Sequence, residues 1–213
     1  MRRIRSLIAR LRSDDRAIAM TEFALAAPLV VTLGLYGLEA ANLALVNMRI
    51  SQVTANLADT ASRIGIDSNL SLKQIRELDI NDAFQAVRLQ GGNYNIGTNG
   101  RVILYSLEND AGGNPWVHWQ RCLGKLNVAP TYTASSAGLG PTGAKIKAPT
   151  GQAVMFVEVQ YDYQPLISNR LLGAKRIKST AAFIVRDPRD LTDTNNPNNT
   201  AAAPVAACTL FNP

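Results

Sequence analysis

The sequence predicts an α+β fold, in which one long N-terminal helix, transmembrane and then amphipathic, precedes a small antiparallel β-sheet domain. Two patterns carry this prediction. The first is an apolar run, Phe23–Val46, in which Glu39 is the only charged residue. The second is a change in the apolar period, from three or four residues before Gly65 to two residues after Arg101.

The apolar run is long enough to cross a bilayer. As a helix it would rise about 36 Å, against a hydrocarbon core of about 30 Å. Residues 1–17 carry six arginines and two aspartates, which accounts for most of the net charge of +6. By the positive-inside rule, this leader is cytoplasmic and the chain after about Asn47 lies across the membrane. Because the basicity is concentrated there, we expect no nucleic-acid partner.

The apolar period continues beyond the run, with polar residues between the apolar ones. Its positions are Val46, Ile50, Val53, Leu57 and Ile64. This pattern is typical of an amphipathic helix. We therefore predict a single helix over residues 18–65, with its membrane part at about 23–46 and Gly65 as its C-cap. Pro28 predicts a bend within it.

A second helical region is predicted from Ser71, its N-cap, to Leu89, with a break near residues 79–81, where the letters DIND offer a new cap. The turn-rich segment GGNYNIGTNG follows as a loop. Alternating residues then predict four strands, Arg101–Glu108, Pro115–Arg121, Gln152–Tyr163 and Arg176–Arg186. Residues 129–151, rich in glycine, serine, proline and threonine, predict a long surface loop. The predicted α+β domain covers residues 66–191, and a tail covers 192–213.

Two cysteines, Cys122 and Cys208, both lie in the exported part. In an oxidising compartment an even pair most simply forms a disulfide, which would anchor the tail and stabilise the fold by roughly 4 kcal/mol. The alternative is a pair of buried free thiols.

Residue types that perform catalysis are not clustered in the sequence. The single histidine, His118, lies between Trp116 and Trp119 on a predicted strand, which favours a structural or half-exposed ring. The sequence has no recognisable nucleophile with a base and an orienting acid, no spaced metal ligands and no phosphate-binding loop. We expect no enzyme activity, no cofactor and no metal. The letters WVHWQ leave open a stacking platform that would bind a ligand.

Glu22 lies at the mouth of the apolar run, where a carboxylate must be neutralised or paired. In the simplest interpretation, the run is a signal anchor and Glu22 snorkels to the headgroups. A second interpretation follows if the chain is cut between Ala17 and Ile18. Ile18 would then gain a free ammonium, which Glu22 of a neighbouring helix could bind. Such pairs would set the register of helices in a bundle.

The segment RAIAMTEFALAAP resembles the processing and assembly segment of TadE-like proteins, the minor pseudopilins of tight-adherence (Tad/Flp) pilus systems. That family has a small residue, usually glycine, then four residues, Glu-Phe or Glu-Tyr, and a proline six positions after the Glu. The matching positions are Ala17, Ile18–Thr21, Glu22–Phe23 and Pro28. Glu39 is similar to a second acidic residue that members often carry. Val157–Leu166 and Ala181–Leu191 also resemble the family's downstream strands.

The resemblance implies a pilin-like fold and a role in pilus assembly. A prepilin peptidase would cut between Ala17 and Ile18, although alanine replaces the usual glycine, and the residues setting helix register would be Glu22, Phe23, Pro28 and Glu39. Expected partners are this peptidase, other pilins or pseudopilins and Tad inner-membrane proteins. The resemblance places the chain in the inner membrane as a single-pass protein with a periplasmic C-terminal domain, extracellular if built into the pilus. The alternative is a membrane-anchored periplasmic binding module for a ligand or envelope partner.

Overall fold

The computed structural model describes residues 15–66, 72–192, 196–199 and 202–212. The chain divides into two units. The first consists of Met1–Asn42 with Pro165–Gly173, and the second of Leu43–Gln164 with Ala174–Pro213. A long apolar N-terminal helix is followed by a four-stranded antiparallel sheet, so the predicted α+β class is confirmed. Residues 1–14 of the predicted leader lie outside the described residues.

The first helix, α1, spans Asp15–Arg63. Its amphipathic part supplies the predicted apolar residues to the core of the second unit, where Val46, Ile50, Val53 and Leu57 are at most 3% exposed. The helix ends two residues before the predicted cap, Gly65. The buried guanidinium of Arg189 donates hydrogen bonds to the carbonyls of Ala61 and Ile64. A side chain distant in sequence therefore satisfies carbonyls that the end of a helix leaves unpaired.

The second helix, α2, spans Glu77–Gly91, so the prediction of its start was wrong. Ser71 lies outside the described residues, and residues 72–76 are not helical because they pair with distant segments. The helix begins where the Asp79 carboxylate accepts a hydrogen bond from the Arg76 backbone N–H. The predicted break at residues 79–81 is also wrong, since Asp79 caps this helix from within its first turn.

Short helical turns replace the loop predicted after α2, namely a 3-10 turn, Gly92–Tyr94, and a one-turn helix, α3, Ile96–Asn99. Four strands follow, close to the predicted bounds: β1 is Gly100–Asn109, β2 Pro115–Leu123, β3 Val154–Asp162 and β4 Arg176–Ile184. A further one-turn helix, α4, Asn169–Leu172, lies between β3 and β4. The strand order is β2-β1-β3-β4, with all neighbours antiparallel.

The sheet is covered on both faces. On one face, Val102 and Val157 belong to the same apolar cluster as α1 and α2. On the other, Ile103, Tyr105 and Phe156 form a second cluster. Its cover comes from residues 129–151, which contribute Tyr132, Leu139, Ile146 and Ala148. The prediction of a mere surface loop is therefore wrong, because these apolar side chains form part of a second core.

Cys122 and Cys208 form a disulfide, as predicted, with a sequence separation of 86 residues. The tail around it is more extensively bonded than the sequence suggested. Arg101, which is fully buried, donates to the carbonyls of Gly124, Cys208 and Leu210. The tail is thus held within the second unit by the Arg101 side chain as well as by the disulfide.

Candidate assembly site on the N-terminal helix

The first half of α1 presents apolar side chains in every direction. From Ile18 to Leu38 each residue is exposed except Ala27, which is half-buried. The large apolar side chains include Phe23 at 69%, Leu25 at 80% and Leu33 at 63% exposure. By length and composition, α1 can cross a membrane, and its apolar window has no buried residues. An apolar surface of this extent requires lipid or other helices around it.

The residues of the predicted processing and assembly motif all lie on one uninterrupted helix. Ala17 lies in the first turns of α1, Ile18 is 58% exposed, and Glu22 is exposed one turn later. Thr21 donates its hydroxyl to the Ile18 carbonyl over 2.7 Å. The carboxylate of Glu22 and the apolar ring of Phe23 are therefore both available to a neighbouring molecule.

Pro28 lies inside α1, which continues without a break to Arg63. Proline has no N–H to offer the carbonyl of Ala24, four residues earlier. One turn further on, the Thr32 hydroxyl donates to the Pro28 carbonyl over 2.6 Å. This contact satisfies the Thr32 hydroxyl within the helix, and its acceptor is the Pro28 carbonyl rather than the Ala24 carbonyl that proline leaves without an N–H.

Glu39 differs from Glu22 because the protein buries it completely. Its two carboxylate oxygens accept hydrogen bonds from the backbone N–H groups of Leu166 and Ile167, at 3.1 and 2.9 Å. All three residues belong to the first unit. The sequence did not predict these hydrogen bonds, although the letters QPLISNRLL, an apolar cluster directly after a strand, mark an unusual loop.

His118 is part of a closed polar cluster. Its Nδ1 lies 2.8 Å from Oε2 of Glu108, whose other oxygen accepts from the Ser106 hydroxyl and from the side-chain amide of Asn196. Because a carboxylate only accepts, Nδ1 carries the proton in this contact. Ser106 is fully buried and Glu108 is 2% exposed, so a substrate has no access to them. The cluster joins β1, β2 and the tail.

The stacking platform that the letters WVHWQ left open is not formed by Trp119 and His118. Trp119 is 6% exposed, and its indole N–H donates to the Asn196 side chain over 2.9 Å. The His118 side chain is 8% exposed and stacks against Trp116, with ring centroids 4.8 Å apart. His118 is therefore a structural ring, as the sequence favoured, and Trp119 is a core residue. Among the described residues, no group of three or more His, Cys, Asp or Glu residues could hold a metal ion.

Several buried ionisable groups elsewhere in the second unit have hydrogen-bond partners. Glu158 accepts from the phenol of Tyr105 and the hydroxyl of Thr131. Burial, followed by the negative charge of Glu158, raises the pKa of Tyr105 far above its ordinary value. Burial lowers the pKa of Arg189 to about 10. All three ionisable side chains are buried in the interior of the unit.

Comparison of the chain with models of known families, with characterised proteins and with solved structures finds no match. The chemistry of the exposed helix therefore rests on the residues themselves. The first half of α1 combines an apolar surface with one exposed carboxylate near its start, and it can pack against lipid and against other helices.

Proposed function

We propose that this chain is a TadE-like minor pseudopilin, which acts by helix–helix assembly in a tight-adherence pilus system and has no reaction of its own. The observation that carries the proposal is the bare apolar half of α1 with exposed Glu22 one turn after Ile18. The resemblance of residues 17–28 to the family motif supports it further. In this proposal the span lies in the inner membrane, with residues 1–17 cytoplasmic and the second unit periplasmic.

Assembly begins with processing. A prepilin peptidase hydrolyses the peptide bond between Ala17 and Ile18, which leaves a carboxylate on Ala17 and a free ammonium on Ile18. Glu22 of one helix then pairs with the Ile18 ammonium of a neighbouring pilin or pseudopilin. At the edge of the bilayer this pair removes the cost of an uncompensated charge on both helices. The contact is possible at only one stagger, so it sets the register.

The processing step is tested on protein purified from its native host, by N-terminal sequencing and intact mass. We expect a mature start at Ile18. The variant Ala17→Gly, which restores the family's usual residue, should be processed at least as completely. A chain that keeps residues 1–17 in both forms would contradict processing and leave a single-pass protein that retains its leader.

The register role is tested by Glu22→Ala, with Glu22→Asp as the matched control that keeps the charge. We expect the alanine variant to insert normally but to reduce pilus output, because insertion depends on the apolar run and assembly on the carboxylate. Insertion is measured by resistance to alkaline extraction, and pilus output by shearing and quantification. Normal pilus output from Glu22→Ala would refute the role of Glu22.

A further inference from the structure

We propose that the loop Pro165–Gly173 is a lipid-interface anchor, which lies in the headgroup layer and marks the outer end of the membrane span at Glu39. The partner is the lipid surface on the side of the membrane opposite the leader. This inference rests on α1 being a membrane span and does not depend on pilus assembly. It concerns residues of the first unit only.

The hydrogen bonding of the backbone in this loop suits a medium that contains little water. Outside a regular helix or sheet, N–H groups that enter an apolar layer need internal partners. Glu39 accepts from the N–H groups of Leu166 and Ile167, and Pro165 has none to satisfy. The N–H of Arg170 bonds to the Ser168 hydroxyl, and two further N–H groups bond to carbonyls within the loop. Most N–H groups of the loop therefore have partners within the protein and do not depend on water.

The side chains of the loop suit the interface of a bilayer. Leu166 is 64% exposed and Ile167 39% exposed, directly beside the carboxylate that holds their backbone. Leu171 and Leu172 follow on α4 and are half-buried, while Arg170 between them and Ile167 is exposed. Apolar side chains next to a cation are typical of segments that lie in the headgroup region and contact lipid phosphates.

The length of the exposed helix agrees with a boundary at Glu39. From Ile18 to Leu38 a helix rises about 31 Å, which matches a hydrocarbon core of about 30 Å when the inner boundary lies at Ile18 rather than at Phe23, with Glu22 one turn inside it. The residue after it, Glu39, is a buried carboxylate. Val46, where the sequence analysis ended the span, is 2% exposed and packs in the core of the second unit. Protein rather than lipid therefore surrounds Val46, and the outer boundary moves about two turns toward the N-terminus.

The experiment uses the full chain in phospholipid vesicles containing anionic lipid, at low protein density, with a nitroxide attached to one introduced cysteine. The labelled variants are Leu166→Cys in the loop, Leu33→Cys as the reference within lipid and Leu78→Cys as an exposed leucine of the second unit. Labelling without reductant keeps the Cys122–Cys208 disulfide closed. The collision rate of the nitroxide with oxygen, which partitions into lipid, is compared with its collision rate with a water-soluble nickel chelate.

We expect the ratio of oxygen to nickel accessibility at Leu166 to lie between the values at Leu33 and Leu78. With Glu39→Gln the ratio at the Leu166 label should fall toward the Leu78 value, because glutamine places an NH2 donor where one of the two carboxylate oxygens accepts a backbone N–H. The matched control is Asn47→Ala, which removes an exposed polar side chain of α1 and should leave the ratio at Leu166 unchanged.

Three outcomes would overturn the inference. A label at Leu166 as accessible to nickel as the label at Leu78 would place the loop in water. Shielding of Leu166 from both reagents, with broadening between spins, would mean that a second copy covers the loop. A label at Leu33 with no excess of oxygen collisions would show that α1 is not a span. An intact leader in a chain that still has a lipid-exposed Leu33 would instead count against the proposed function alone.

Discussion

The two halves of α1 have the same secondary structure and opposite surroundings. Residues 18–38 are exposed on all sides although most are apolar, whereas the second half buries one stripe, which includes Val46, Ile50, Val53 and Leu57. In the first half apolar residues fill the whole circumference, and in the second they recur every three or four positions. The angular distribution of apolar residues around a helix, rather than their number, therefore indicates which medium the segment requires.

The carboxylates of the two regions follow the same division. Glu22, in the first half, is exposed in an apolar surface. Glu77, in the second unit, is 2% exposed and forms a bidentate ion pair with Arg121. Glu77 has its partner in its own unit, whereas Glu22 is exposed, and in the proposed function its partner is a neighbouring helix. Variants in each region test whether the two regions differ in their contribution to the free energy of unfolding as they do in structure.

The largest expected difference in the free energy of unfolding lies between two variants of α1, each of which shortens one aliphatic side chain. Ile50→Ala should lower the free energy of unfolding by about 3–4 kcal/mol, because it opens a cavity at a fully buried position. Leu33→Ala, at 63% exposure, should leave it unchanged. The measurement is chemical denaturation of the full chain in detergent micelles, followed by the fluorescence of buried Trp119. Equal losses in the two variants would abolish the distinction between the halves.

A smaller difference in the free energy of unfolding is expected between variants that remove one carboxylate from each region. Glu77→Ala should cost about 3 kcal/mol, because it leaves the guanidinium of Arg121 partly buried without its partner. Glu22→Ala should leave the denaturation midpoint unchanged, since no folded contact depends on its charge in this proposal. The double variant Glu77→Ala with Arg121→Met removes the orphaned cation. If it is no more stable than Glu77→Ala, the loss comes from packing and not from the ion pair.

Much of the fold could be predicted from local periodicity. The alternation in β3 predicted its bounds to within two residues, and the stripe along α1 predicted its buried positions. The cover of the second sheet face could not be predicted in this way. Tyr132, Leu139 and Ile146 are spaced irregularly among turn residues, and their burial depends on a sheet face formed elsewhere in the chain. Irregular spacing carries no periodic signal.

The candidate site was predicted only in its local part. The spacing of Ala17, Glu22 and Pro28 is a local pattern and could be found from the sequence. The partners of Glu39 lie 127 and 128 residues away, and the contact is made by backbone N–H groups, which every residue except proline possesses. Sequence identity therefore gave no signal for the pairing. The start of α2 was missed for a related reason, since distant segments pair with the residues before it.

The smallest expected effect is on the pH dependence of the free energy of unfolding. The second unit buries ionisable groups whose titration is linked to its folding. The pKa of Tyr105 is raised in the folded chain, by burial first and then by the charge of Glu158. Below about pH 10 the phenol is neutral in both states and stability is unaffected. Above that, the unfolded chain ionises Tyr105 while the folded chain keeps the proton. Stability should fall by up to about 1.4 kcal/mol per pH unit.

Arg189 acts in the opposite direction, because its folded pKa is lowered to about 10 and the unfolded chain then holds the extra proton. The difference in slope between the wild type and Tyr105→Phe cancels this contribution and isolates the phenol. We expect the variant to lose less stability between pH 10 and about pH 11. Phe156→Leu, a change of packing in the same cluster, should lower stability equally at every pH. If Tyr105→Phe keeps the wild-type slope, the titration of the buried phenol is not linked to folding.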